Sequence, residues 1–313
     1  MDIAARRSVD TVTTPPLSSL VRIDVDAQSH AGHRRANNED HYLVARLGRA
    51  LEITMTSLPA GAVPLLSEEV NYVLIVADGM GGHAAGEVAS RMALSALVAL
   101  ALDTPDWILR ADEGYQGTLE DRARQRVQEV GALLVDTGRR DPTLRGMGTT
   151  LTVARSLGRD LLITHVGDSR AYLLRAGILY RLTRDHTYAQ LLVDTGQIAA
   201  ADVATSGHAH VLTNALGGTS ADVQVDTDHV LLQDGDRLLL CSDGLTDLVD
   251  DQTITSILRD TTASHDACTR LVQQALDNGG RDNVTVIVAG YSIPADQPAR
   301  HADRGVDADT QPE

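Results

Sequence analysis

Apolar residues gather in many short runs separated by polar turns, with only two long helical stretches among them. Residues 73–77 (Val-Leu-Ile-Val-Ala) are continuous, mostly β-branched and read as a buried strand. The runs 238–241 (Leu-Leu-Leu-Cys), 284–289, 160–166 and 151–154 read the same way, and 20–27 alternates weakly through Val21, Ile23 and Val25. Further strands are expected at 41–47, 51–55, 171–175, 178–180, 211–216 and 223–232, with Gly177 turning one into the next. Helical spacing appears at 87–102, apolar on most of its circumference and ended by Asp103-Thr104-Pro105. It appears again at 119–137, where Ala123, Val127, Val130 and Leu134 form one stripe and Gly138 is placed to cap the end. Shorter helices are expected at 187–198, 253–258 and 267–277. Segments 29–40, 56–71 (with Pro59, Gly61 and Pro64) and 199–210 read as connections. The elements do not alternate as regular βαβ units, so the pattern predicts an α+β domain of mainly antiparallel sheets.

Composition narrows this picture. With no Phe and one Trp, the core must be aliphatic. The balance of 27 basic and 43 acidic residues, net −16, argues against a nucleic-acid partner and suits a protein that binds cations. Residues 1–20 are polar and read as a disordered arm with no leader sequence, and 294–313, rich in Asp, Pro and Gln, as a disordered tail. No run of about 20 apolar residues suggests a membrane span. Cys241 and Cys268 read as reduced thiols, which fits the cytoplasm.

The candidate chemistry lies where strands end. Asp78-Gly79 follows one apolar run, Asp243-Gly244 follows another, Asp282 precedes a third, and Glu39-Asp40 precedes a fourth. One Asp-Gly pair is an ordinary turn; four acids at strand ends can meet at one sheet edge. Two carboxylates about 4 Å apart repel by roughly 4 kcal/mol at an effective dielectric near 20, a penalty that divalent ions remove. All-oxygen ligands suit Mg2+ or Mn2+, and no Cys/His set has zinc spacing. A pair of such ions can activate a water for in-line attack on phosphorus. Arg35, four residues before Glu39, is the candidate clamp for phosphate oxygens. His208 and His210 read as solvated loop histidines, and the glycines at 81 and 82 lack the Lys-Ser/Thr of a nucleotide loop.

Taken in order, Arg35-x-x-x-Glu39-Asp40, Val76-Ala77-Asp78-Gly79-Met80-Gly81-Gly82, Gly148-Thr149-Thr150, Gly167-Asp168-Ser169-Arg170, Ser242-Asp243-Gly244-Leu245-x-Asp247 and Asp282-Asn283-Val284-Thr285 resemble the metal-dependent protein serine/threonine phosphatases of type 2C, bacterial branch. The resemblance covers about residues 22–291. It implies one catalytic domain over 21–293: a central antiparallel β-sandwich flanked by helices on both sides. It implies two Mn2+ or Mg2+ ions, with Asp78 bridging them, the Gly79 carbonyl, Asp243, Asp282 and Glu39 completing their ligands, and Asp40 and Asn283 standing behind. Asp168 and Asp247 match the positions of a third, looser ion, Arg35 the phosphate-binding position, and 185–218 a flap beside the cleft. Met80 stands where animal members carry a histidine acid, which leaves the proton donor unassigned. The implied substrates are phosphoserine and phosphothreonine in proteins, the implied counterpart a Ser/Thr kinase acting on the same targets, and the implied state a monomer. A catalytically idle binding module would lack one of the metal acids, and none is missing; a phosphatase of small metabolites is the other alternative.

Overall fold

The computed structural model describes residues 21–59, 62–63, 65–81, 84–103 and 116–294. The expected arm and tail, and His83 at the start of the first helix, lie outside them. In chain order the strands are β1 (Arg22–His30), β2 (Asp40–Glu52), β3 (Leu66–Met80), β4 (Gly148–Thr149), β5 (Leu151–Leu157), β6 (Asp160–Val166), β7 (Arg170–Arg175), β8 (Ile178–Arg181), β9 (Leu216–Gly217), β10 (Asp226–Leu231), β11 (Arg237–Cys241) and β12 (Val284–Ser292). The helices are α1 (Ala84–Asp103), α2 (Gln116–Arg140), α3 (Tyr188–Asp194), α4 (Asp243–Thr246), α5 (Asp251–Asp260) and α6 (Ser264–Asp277).

Two antiparallel sheets lie face to face, one ordered β1-β12-β11-β7-β8 and the other β10-β6-β5-β3-β4-β9, with β2 beside β3. The period of two along each strand divides the apolar runs among three layers. Leu74 and Val76 of β3 meet Leu238, Leu240, Ile287 and Ala289 between the sheets. Ile75 and Ala77 point the other way, onto Ala89 and Ala93 of α1 and Val127 and Leu134 of α2. Leu239, Cys241, Val286 and Val288 face Ile254, Leu258, Cys268 and Leu271 of α5 and α6. Both faces of the central strands are covered, which is why they read as continuous apolar runs. The result is the helix–sheet–sheet–helix order that the resemblance implied, and it fits the α+β class with antiparallel sheets that the pattern predicted. Both cysteines are free and buried.

Some boundaries differ from the sequence expectation. β2 is one strand where two were expected, and β3 begins at Leu66, inside the expected connection. Residues 66–70 are paired only by β2 and none is fully buried, so their sequence carries no apolar run to mark a strand. The 29–40 loop begins only after His30, because β1 pairs with β12 through that residue. Of the expected strand at 211–216, only Leu216 enters a named strand. Gly138 lies inside α2 instead of capping it, since Asp141 N–H still donates to Thr137 O (3.0 Å). Among the described residues α1 is long and apolar enough to cross a membrane by length and composition. It packs on the sheet through Ala85, Ala89, Ala93 and Leu94.

Candidate metal centre

The strand directions bring the acids to one rim of the sandwich. Asp40 opens β2 directly opposite Asp78 near the end of β3. Asp243 opens α4 just past β11, and Asp282 sits two residues before β12. The rim thus draws on both sheets. A hydroxyl chain joins them: Ser242 Oγ donates to Asp40 Oδ2 (2.7 Å) and accepts from Thr285 N (3.0 Å). Asp40 Oδ1 is buried with no hydrogen-bond partner among the described residues. Burial first, then the charges of Asp243 and Asp282, push the Asp40 carboxyl up to about 7 against the lowering effect of Ser242.

Asp78 is held through its backbone. Its N–H donates to Thr150 Oγ1 (3.0 Å), and its carbonyl accepts from Thr150 N and Thr149 Oγ1 (both 2.9 Å). Burial and the neighbouring Asp40, Asp243 and Asp168 raise its carboxyl well above the ordinary range. Gly79 packs so closely that a Cβ there would stand 2.2 Å from Gly86 O and 2.7 Å from Glu39 O. Glu39 is pinned by its backbone: its carbonyl accepts from Ser90 Oγ (2.6 Å) and Gly79 N (3.2 Å), and its N–H donates to Asn283 Oδ1 (2.8 Å). Its carboxylate rests against Gly86, where a Cβ would meet Oε2 at 2.3 Å. Asn283 Nδ2 donates to Ala31 O (3.0 Å) and Asn37 O (2.9 Å), fastening the loop that carries Arg35. Arg35 Nη2 reaches Asp282 Oδ2 (2.5 Å) from a largely exposed position, and the charges of Asp282, Glu39 and Asp78 all raise its pKa.

Asp168 lies buried in the turn between β6 and β7, and its carboxyl is raised by burial and by Asp243, Asp185 and Asp247. Asp247 is raised to about 6 by burial and by Asp243. His210, expected as a solvated loop residue, is exposed on one side but turns Nδ1 to 3.5 Å from Asp247 Oδ2 and 3.7 Å from Asp243 Oδ2. Met80 lies over Gly148, where a Cβ would meet its Cε at 2.7 Å. The structure therefore gathers the acids singled out in the sequence, with Arg35 at their edge. Sequence reasoning missed their supports: Ser90, Ser242 and Thr285, whose partners lie far away in the chain, and Gly86. Ser242 and Thr285 stand inside the quoted motifs, close to Asp243 and Asp282, but nothing local marks them as supports.

The donor set suits hard divalent ions. Carboxylates driven toward protonation by burial first and then by one another's charge, one oxygen without a partner among the described residues and a carboxylate wedged against a bare glycine form an oxygen-lined site short of positive charge.

Comparison with known proteins points the same way. The sequence profile of the protein phosphatase 2C family matches residues 65–278. The chain is 38% identical over 263 residues to the serine/threonine protein phosphatase PstP of Mycobacterium tuberculosis, covering 84% of this chain and 44% of that protein, so it spans less than half of that relative's length. It is 39% identical over 216 residues to the serine/threonine phosphatase stp of Listeria monocytogenes, covering 69% of this chain and 83% of the relative. Among solved structures, the catalytic domain of PstP in complex with two manganese ions superposes with a TM-score of 0.67 at 36% identity, covering 87% of this chain and 99% of the other.

Proposed function

The chain belongs to the protein phosphatase 2C family, and from that membership we propose that it is a Mn2+/Mg2+-dependent phosphatase of phosphoserine and phosphothreonine in proteins. The observation that carries this reading is the convergence of Asp40, Asp78, Asp168 and Asp243 on one rim, Asp40 and Asp168 buried and the others partly so, with the Arg35 guanidinium at its edge. Two bound ions supply activation of the attacking water and neutralisation of the phosphoryl oxygens. Asp78, the Gly79 carbonyl, Asp243, Asp282 and Glu39 would hold the two ions, and Asp168 and Asp247 would hold a third.

The chain's own residues prepare the site. Thr149 and Thr150 fix the Asp78 backbone, so its carboxylate meets the ions without reorganising. Asp40 and Ser242 hold the two sheets in register beneath it. Asn283 sets the loop from which Arg35 presents its guanidinium, a fork that can grip two phosphate oxygens. The acidic rim rejects anionic substrates until it is loaded. The protein acts as a cytoplasmic monomer that reverses a Ser/Thr kinase on shared targets; two buried free thiols favour the reducing compartment.

The test is direct. Asp78→Ala and Asp243→Ala each abolish hydrolysis of an aryl phosphate, and chelation silences the wild type. Full activity in either variant would reject the assignment. Phosphopeptides outcompete sugar phosphates as substrates; the reverse order points to a metabolite phosphatase, and tight phosphopeptide binding without turnover points to a binding module.

A further inference from the structure

A second polar network lies behind Asp168, and the proposed reaction uses none of it directly. Its centre is His186, where the flap begins. The His186 N–H donates to Gly167 O (2.7 Å), and the Gly167 N–H donates back to His186 Nδ1 (3.2 Å). Gly167 O also accepts from Nε2 of the buried His165 (3.0 Å), whose ring lies 5.0 Å from that of His186. Both backbone polar groups of the residue before Asp168 are therefore taken from this side. Gly167 has φ +109°, and a Cβ there would stand 2.6 Å from Thr150 Cγ2, so the turn in this position requires glycine.

The far end of the flap returns to the same histidine. Thr213 N–H donates to His186 O (2.8 Å), Tyr188 N–H to Val211 O (2.8 Å), and Thr187 bridges Leu212. Asn214 Nδ2 donates to His186 Nδ1 (2.8 Å), and its amide orientation is set by Gln224, whose carbonyl accepts from Nδ2 (2.6 Å) and whose N–H donates to Oδ1 (3.3 Å). With donors converging on Nδ1, the ring is held in its Nε2–H tautomer and donates to Asp226 Oδ2 (3.0 Å). Arg170 adds a second fastening, gripping Asp185 with Nε (3.1 Å) and Nη2 (2.7 Å).

We propose that His186 is a positioning residue whose Nδ1 knots both roots of the flap to the Gly167–Asp168 turn, so that the flap and the Asp168 carboxylate are placed together. This rests on the phosphatase reading for its consequence in turnover, though the knot itself does not. Loosening it frees the flap and blurs the third ion position, while the Asp78–Asp243–Asp282 pair of sites, anchored on β3, β11 and β12, stays as it is.

Two isosteric variants separate the knot from a mere packing role. In His186→Asn, the amide Oδ1 can take the place of Nδ1; in His186→Gln, the amide can keep only the Asp226 contact. Hydrogen exchange on the metal-free protein is expected to quicken about tenfold at the Gly167 amide and across 186–214 in His186→Gln, the equivalent of one buried hydrogen bond, and to stay within roughly twofold of wild type in His186→Asn. Manganese titration followed by electron paramagnetic resonance should show the weakest site loosened about tenfold in the Gln variant alone, with the tight pair unchanged. The Gln variant should also raise KM for a phosphopeptide while leaving kcat on an aryl phosphate within roughly twofold. Equal behaviour of the two variants, or no change in either, overturns the proposal. Should both fail to fold, Asn214→Ala on the partly exposed second root carries the same exchange measurement, and an unaltered flap there is equally fatal. If the wild type hydrolyses no phosphopeptide but the exchange pattern holds, the proposed function falls and the knot stands.

Discussion

The Glu39 carboxylate lies where a side chain at position 86 would begin. Gly86→Ala is therefore a test of one atom. Alanine suits the helix better than glycine by about 1 kcal/mol; the atom met first is the far end of a flexible chain, but the Gly79 carbonyl carbon, at 2.9 Å, is backbone and must give way too. The fold is expected to survive with a modestly lowered thermal midpoint, while Glu39 is pushed from its place. The apparent Mn2+ affinity measured by activity should fall about tenfold, equivalent to about 1.4 kcal/mol; a variant with wild-type Mn2+ dependence would show that Glu39 is not a ligand. At this scale the acids were legible because each follows or precedes an apolar run. Ser242 and Asp40, 202 residues apart in the chain, were not legible as a pair, because no local pattern records which distant hydroxyl meets which carboxylate. His186 escaped for the same reason, as its ring contacts come from three separate segments, around 165–167, 214 and 226.

Among the elements, β7 and β11 show how the rim is held from behind. At the end of this strand pair remote from Asp243, Arg175 grips Asp236 through Nε (2.9 Å) and Nη2 (2.6 Å), and Asp236 Oδ2 also accepts from Gln233 N (2.8 Å). Asp236 is 1% exposed. Asp236→Ala leaves a guanidinium half-enclosed without its partner, at a cost of about 3–5 kcal/mol. Urea unfolding should register that loss, while kcat measured in the cold, where the variant is folded, should stay near wild type; an equal loss of kcat would mean that the pair shapes the site itself. Helices and central strands were readable from periodicity, since packing on one or both faces writes itself into the sequence. The first third of β3 was not, because Ser67, Glu68 and Glu69 are paired by β2 alone and carry no buried face.

Across the molecule, the gathered acids tie stability to metal and pH. Asp40 titrates near 7 and Asp247 near 6 in the fold, and Asp78 and Asp168 are also raised. Each is raised above its unfolded value, so its contribution is fully present below about pH 4 and is lost as pH climbs through the folded value. His165 opposes them: burial lowers it from 6.5 to about 4, so its contribution is lost as pH falls through that range. The charges that shift it are those of His186, Asp185 and Asp226, none of them a proposed metal ligand, so it weighs about equally on the chelated and the metal-bound protein. The gain in thermal midpoint from Mn2+ over chelated protein should therefore widen from about pH 5.5 to about pH 8. Scanning fluorimetry would measure it; a gap that narrows with pH contradicts the clustering.

The strands that lead into the acidic rim leave from the opposite pole, and there two of the connections are minimal. Leu157 and Asp160 flank a two-residue turn, as do Arg175 and Ile178, where Ala176 and Gly177 both take positive φ. Arg22 and Ser292 face each other across β1 and β12 at this same pole. A short glycine bridge between them, with the chain reopened at Ala176-Gly177, would make a circular permutant whose new ends hang on the quiet side of the molecule, leaving the chemistry where it was.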